Sequence, residues 1–402
     1  MRISFPLPLL LALAGAGVLG ISACDALVGL VDPDDPGEPE VRSVQGVTTD
    51  VAAIVGTFVA GPLHRPFLLE SMPEFEKYYG GVHPLHEASF HVRAFFQNGG
   101  RQIWVSRAAA ATQGGLLGGG VPGRGLLALE EANRFNTLLV PELLSSASIT
   151  DRAFAAATAI AYAASRDAMM LLDPPAEVVT AQGVMDWVNQ STSLLRSRHA
   201  ALYFGRIEVP EGAGPGETRW IGASGAAAGI QSWNDRERGV WLAPAGPNVP
   251  SLAGVLDTDP LTTAEREALN TQQIISLLRG PARIWGARTL LADSSPFTYL
   301  NVQRLTLHIE ALVRDALRWT AGETMKPELW TQARSDTEAV IHDLWSQGAF
   351  PGSQPQEAYF VRCDASTHTS ADIAAGRLKV LVGFAPLKPG EFVVRILTLE
   401  LR

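Results

Sequence analysis

His83, His86, Glu87 and His91 crowd into one short stretch, a grouping of the kind that can hold zinc. A helical zinc site needs its ligands on one face, as in H-E-x-x-H, where the histidines stand four residues apart. Here His86 and His91 are five apart and point to different faces, so the stretch reads as a solvated helix with Glu87 and His91 as a surface i,i+4 pair. Gly222-Ala223-Ser224-Gly225-Ala226 falls one glycine short of the G-x-S-x-G turn that exposes a nucleophilic serine. The sequence places no histidine and acid beside Ser224, so no triad follows from it. Gly118-Gly119-Gly120-Val121-Pro122-Gly123 matches G-x-G-x-x-G in form. It is not set tightly between a strand and a helix, and Pro122 stands where helix-starting amides should face a phosphate, so it reads as a surface loop. No glycine-rich stretch ends in Gly-Lys-Ser or Gly-Lys-Thr. The two cysteines, Cys24 and Cys363, are too few for a disulfide framework or a cysteine-rich zinc site. Cys363, beside Tyr359, Phe360 and Val361, reads as a small buried hydrophobe. The expectation is therefore a protein with no catalytic, cofactor-binding or metal-ligating set, and not an enzyme.

Composition points the same way. A chain of 402 residues, 47% hydrophobic and 18% charged, is globular and long enough for two or three packed domains. A net charge of −9 with no basic stretch to offset it argues against nucleic-acid binding. Lysine occurs only at Lys77, Lys326, Lys379 and Lys388, so arginine supplies nearly all the positive charge. Guanidinium groups suit planar contacts with carboxylates, which are common at interfaces.

Residues 1–24 hold a basic start, an apolar run and the ending Ile21-Ser22-Ala23-Cys24. This reads as a secretory signal that resembles a bacterial lipobox, with Cys24 the lipidated residue, or else as an upstream extension outside the working protein. Residues 25–46 form a proline-rich, acidic linker or N-terminal arm, centred on Asp32-Pro33-Asp34-Asp35-Pro36-Gly37-Glu38-Pro39-Glu40. From residue 47 short apolar strands alternate with helices: Val51 to Val59, Ile103 to Val105, Phe135 to Val140, Met169 to Leu172 and Ala201 to Phe204. That alternation predicts an α/β fold, a mixed sheet flanked by helices. A helix is expected at 126–133. Near the end, Val302, Leu305, Ile309 and Val313 share one helical face, and Leu329, Ala333, Ile341 and Leu344 share another. The chain then finishes in a strand, Glu391-Phe392-Val393-Val394-Arg395-Ile396-Leu397, apolar on both faces and so expected to be covered on both.

Several separated stretches resemble contractile tail sheath proteins of phage tails and related injection systems. They are 41–47 with 51–56, Phe95-Phe96-Gln97-Asn98-Gly99-Gly100, and Leu171-Leu172-Asp173-Pro174-Pro175. Glu237-Arg238-Gly239-Val240-Trp241-Leu242-Ala243-Pro244 and Trp285-Gly286-Ala287-Arg288-Thr289-Leu290 follow. So do Phe360-Val361-Arg362-Cys363-Asp364, Gly383-Phe384-Ala385-Pro386 and Pro389-Gly390-Glu391-Phe392-Val393. The resemblance implies a sheath-type α/β domain at 47–285 and a C-terminal α+β domain at 286–402 that ends in an exchangeable strand, residues 391–397. It implies a structural polymer without cofactors: rings of six stacked helically around an inner tube, meeting baseplate and tail-terminator proteins and contracting to drive the tube through a target envelope. Two features differ from the family. Only the glycine-rich loop 109–125 stands where many members carry an extra domain, and the prolines of the N-terminal arm remove ladder donors that a donor strand needs. Such a sheath assembles in the cytoplasm. The alternative is a sheath-derived lipoprotein, anchored to a membrane only if Cys24 is lipidated, that binds an injection apparatus without polymerising.

Overall fold

Val51–Gly56 (β1) is apolar throughout because both its faces are covered. Val51, Ala53 and Val55 belong to one core cluster, Ala52 and Ile54 to another. That is the pattern of a parallel strand between two helical layers. The computed structural model describes residues 46–144, 148–191, 194–212, 216–387 and 393–401. Cys24, Glu391 and Phe392, together with the apolar segment 1–24 and residues 25–45 of the arm, lie outside the described residues.

From β1 the chain passes through β2 (Phe67–Leu69), α1 (Met72–Tyr79) and α2 (Glu87–Gln97) to β3 (Gln102–Arg107). It continues through α3 (Gln113–Leu117), β4 (Thr137–Leu139), α4 (Ile149–Ser165), β5 (Met169–Leu172), α5 (Ala181–Gln190) and β6 (Ala200–Phe204). Next come β7 (Ile207–Pro210), β8 (Thr218–Ile221), α6 (Ser224–Glu237), β9 (Asp257–Thr258), α7 (Thr263–Thr271), β10 (Ile274–Leu278) and β11 (Arg283–Trp285). The main sheet has the order β11-β10-β6-β5-β4-β1-β3-β2. The six strands from β10 to β3 run parallel, and β11 and β2 close its edges antiparallel. Phe90 and Phe95 of α2 and Ala227 and Ile230 of α6 cover one face, while Ala156 and Ala159 of α4 and Val184 and Val188 of α5 cover the other. Local signals match this layout. Ser71 Oγ accepts from Glu74 N at 3.4 Å to cap α1, and Gly80, at φ +80°, ends it. The stretch expected as a helix at 126–133 is a 3₁₀ turn, Gly125–Glu131, and the glycine-rich loop before it contains the short α3.

The chain then enters α8 (Leu300–Ala316), α9 (Pro327–Ser346), α10 (Pro355–Ala358), β12 (Tyr359–Arg362), α11 (Ser370–Ala375), β13 (Arg377–Phe384) and β14 (Val393–Glu400). The last three strands form an antiparallel sheet, β12-β13-β14. Its inner face packs on α8 and α9 through Val380, Val382, Leu397, Ile309 and Ile341. Cys363 is buried in this cluster, and burial pushes its thiol up to about 12, so it is inert as a nucleophile. The helix α8 faces two ways. Val302, Leu305 and Val313 join the C-terminal core, whereas Leu300 and Leu307 join the main-sheet core.

Candidate assembly interface

Ser224 and His91, which looked chemical in the sequence, come together with Asp173, in an arrangement that serves packing. Asp173, just after β5, meets the first turn of α6. Its Oδ1 accepts from Ser224 N at 2.9 Å and its Oδ2 from Ser224 Oγ at 2.5 Å. A carboxylate there answers the free amides and positive end of the helix. His91 Nδ1 accepts from Gly225 N at 3.2 Å and stands 3.2 Å from Ser224 Oγ. With the serine proton directed to Asp173 and Nδ1 already accepting, His91 is not wired to draw a proton from Ser224, as a Ser-His-Asp relay requires. His91 is not on a solvated face as expected: it is fully buried between the sheet and α6, with Nε2 3.8 Å from Glu87. Nor does His86 lie on the helix; it precedes α2 and reaches Thr57 Oγ1 at 2.9 Å.

The crevice at the carboxyl ends of β1 and β4, where the strand order reverses, is the usual ligand site of open parallel sheets. Here it is filled from within. Glu142 accepts from Thr57 N at 2.7 Å and Thr57 Oγ1 at 2.8 Å, and Gly56 lets Ala88 of α2 approach too closely for any side chain. Burial holds the Glu142 and Asp173 carboxyls above their usual range.

Open features belong to the C-terminal sheet. Among the described residues β14 pairs only with β13, register Phe384↔Val393 through Arg377↔Glu400, so its outer edge carries no ladder. Alternation divides its side chains. Val393, Leu397 and Leu401 are buried on the C-terminal core, while Val394 is 50% and Ile396 63% exposed. Among the described residues the expected cover on both faces is thus present on one. The exposed face continues across the sheet through Leu381, opposite Ile396, to Phe360, whose ring lies over Gly383. The strand is also fastened to α8: Arg395 Nε donates to Glu310 Oε1 at 2.6 Å. Further along α8, the pair Arg304–Asp235, with contacts of 2.8 and 2.5 Å and both side chains buried, ties this helix to α6. Among the described residues no helix is long and apolar enough to cross a membrane.

A layered α/β domain with a small antiparallel sheet docked through one shared helix, ending in a strand with an open edge, is the fold of the contractile sheaths. The chain superimposes on the helical sheath of the anti-feeding prophage in its contracted state with a TM-score of 0.66, at 24% identity, over 96% of this chain and 99% of that one. It also matches the sheath complex of the extracellular contractile injection system PVC in its contracted state, with a TM-score of 0.68 at 20% identity over 96% and 98% of the two chains. No family model matches the sequence. A prophage major tail sheath protein of Pseudomonas aeruginosa (strain UCBPP-PA14) is 26% identical over 176 residues, 42% of this chain. The match spans 43% of that relative's length.

Proposed function

We propose that this chain is a structural subunit of a contractile tail sheath. Copies polymerise helically, in stacked rings of six, around an inner tube, meet a baseplate and a terminator, and contract to drive the tube through a target envelope. The likeness to sheath and baseplate assemblies along nearly the whole chain supports this reading. The observation that carries it is β14, an edge strand with a free ladder and an exposed apolar face beside it. Such an edge is a template for pairing with another chain, and strand addition gives a directional link while other contacts are broken and remade. Residues 391–397 supply that link, and the unit 286–402 carries it while 47–285 forms the body. Assembly is cytoplasmic, and failure of a lipid probe to label Cys24 is the expected result. Electron microscopy of the protein produced with its inner-tube partner tests the proposal. Helical tubes are expected; monomers alone, at concentrations where the partner forms tubes, overturn it.

A further inference from the structure

A cleft of about 620 Å³ opens where the loop after α6, the end of α7 and the segment after β11 meet. Arg238, Trp241, Asn248, Asn270, Arg288 and Tyr299 line it. Two of the stretches that resemble sheath proteins, 237–244 and 285–290, thus converge on one opening. Arg288 lies over the Tyr299 ring, 5.4 Å from its centroid, and among the described residues has no carboxylate partner. Arg238 donates from Nη1 to Asn234 Oδ1 at 2.8 Å and Ala243 O at 3.4 Å, and its Nε and Nη2 make no hydrogen bond among the described residues. Among the described residues no aspartate or glutamate lines the cleft. A cationic, aromatic opening in a chain of net charge −9 calls for an acidic occupant with flat apolar surface.

The same sequence contains one. Residues 32–40 carry Asp32, Asp34, Asp35, Glu38 and Glu40 and no basic residue. Pro33, Pro36 and Pro39 recur every third position. Three is the repeat of the polyproline II helix, so in that form the prolines share one side, Asp32, Asp35 and Glu38 a second, and Asp34 and Glu40 the third. Proline stripes dock on aromatic grooves, and the stiffness of the form lowers the ordering entropy lost on binding. Nine residues extend about 28 Å in this form, enough to cross a cleft of this size. We propose that the cleft between Trp241 and Arg288 binds residues 32–40 of a second copy of this chain, with prolines against Trp241 and Tyr299 and carboxylates on Arg288 and Arg238. This rests on the sheath reading only in that polymerisation brings a second copy within reach. It gives the proline-rich arm a use that needs no ladder hydrogen bonds.

The test separates the two. The full-length chain carrying Asp32→Asn, Asp34→Asn, Asp35→Asn, Glu38→Gln and Glu40→Gln is titrated against a fluorescent peptide of residues 30–42, read by anisotropy. Saturable binding is expected, at least tenfold weaker with Arg288→Glu in the protein or with alanine for the three prolines in the peptide, and weakened by salt. Circular dichroism confirms that the Arg288→Glu chain is folded. No binding, or equal binding to the Arg288→Glu chain, overturns the proposal, whether or not tubes form. To fix the source, full-length chains carrying Asp35→Cys or Asn248→Cys, both with Cys24→Ser, are mixed and oxidised. A crosslink between the two kinds of chain is expected. A chain carrying both substitutions is oxidised in parallel; a crosslink within it, with none between the two single variants, overturns the assignment to a second copy.

Discussion

His308 on α8 shows how far burial can move one side chain. Burial first, then the positive charges of Arg134 and Arg304, push its imidazole down to about 4, and its Nδ1 has no hydrogen-bond partner. An unfolded histidine titrates near 6.5. Between those values the unfolded chain binds a proton that the folded chain refuses, so stability falls as pH drops from about 6.5 toward 4, by roughly 3 kcal/mol in all. His91 has the opposite sign. Its burial alone would lower the value, but the Glu87 contact and the charges of Asp173 and Glu142 more than reverse this, so its contribution is lost as pH rises. Comparing the wild type with His308→Gln isolates the first effect: urea midpoints at pH 7 and pH 5 should differ clearly less in the variant. An equal drop in both proteins would show that His308 does not set the acid response. Neither burial was legible in the sequence. The i,i+4 spacing of Glu87 and His91 was plain, but Ser224 lies 133 residues from His91 and 51 from Asp173, and only the α2–α6 crossing joins them.

That crossing gives a new meaning to the glycine-rich run 222–229. A Cβ on Gly225 would stand 2.6 Å from His91 O, and one on Gly229 would strike Phe95 O, so both glycines admit the backbone of α2 rather than shape a nucleophile turn. In an exposed helix Gly→Ala stabilises by about 1 kcal/mol through propensity. At Gly229 the obstacle is backbone, which cannot turn aside as a side chain can. Gly229→Ala is therefore expected to destabilise by about 1–3 kcal/mol, seen as a lower urea midpoint with unchanged slope. A raised midpoint would refute the close-packing reading. Elements of this kind divide by how local their cause is. The strands of the parallel sheet and the stripes Val302, Leu305, Ile309, Val313 and Leu329, Ala333, Ile341, Leu344 were legible because periodicity records burial directly. The second buried side of α8 was not, because between Leu300 and Leu307 it is written in polar residues. Asn301, Gln303 and Arg304 are buried there. Asn301 Nδ2 donates to Trp241 O, Arg304 pairs with Asp235, and Gln303 Nε2 meets His199 while its Oε1 has no partner among the described residues; all three partners are far away in sequence.

At the scale of the whole molecule, the sequence predicts the last strand at 391–397 with cover on both sides, whereas the described strand is Val393–Glu400. Among the described residues one face is covered, and the other is the surface proposed for a neighbour. The difference also changes which experiment isolates assembly. Deleting residues 391–402 would strip Val393, Leu397 and Leu401 from the C-terminal core and Arg395 from Glu310, and so would damage the monomer itself. Substituting the outward residues leaves that core intact. Val394→Lys with Ile396→Lys puts two charges on exposed positions of β14, where changes typically alter stability by no more than about 0.5 kcal/mol. The unfolding midpoint of the monomer should therefore stay close to that of the wild type. If a neighbour covers this face, burying two ammonium groups without partners costs several kcal/mol per interface, repeated at every subunit. Tube formation with the inner-tube partner should be abolished, while a control such as Thr398→Lys at the exposed far end of the strand gives shorter or fewer tubes. Tubes of normal length from the Val394→Lys, Ile396→Lys protein would place the subunit contact elsewhere on the molecule.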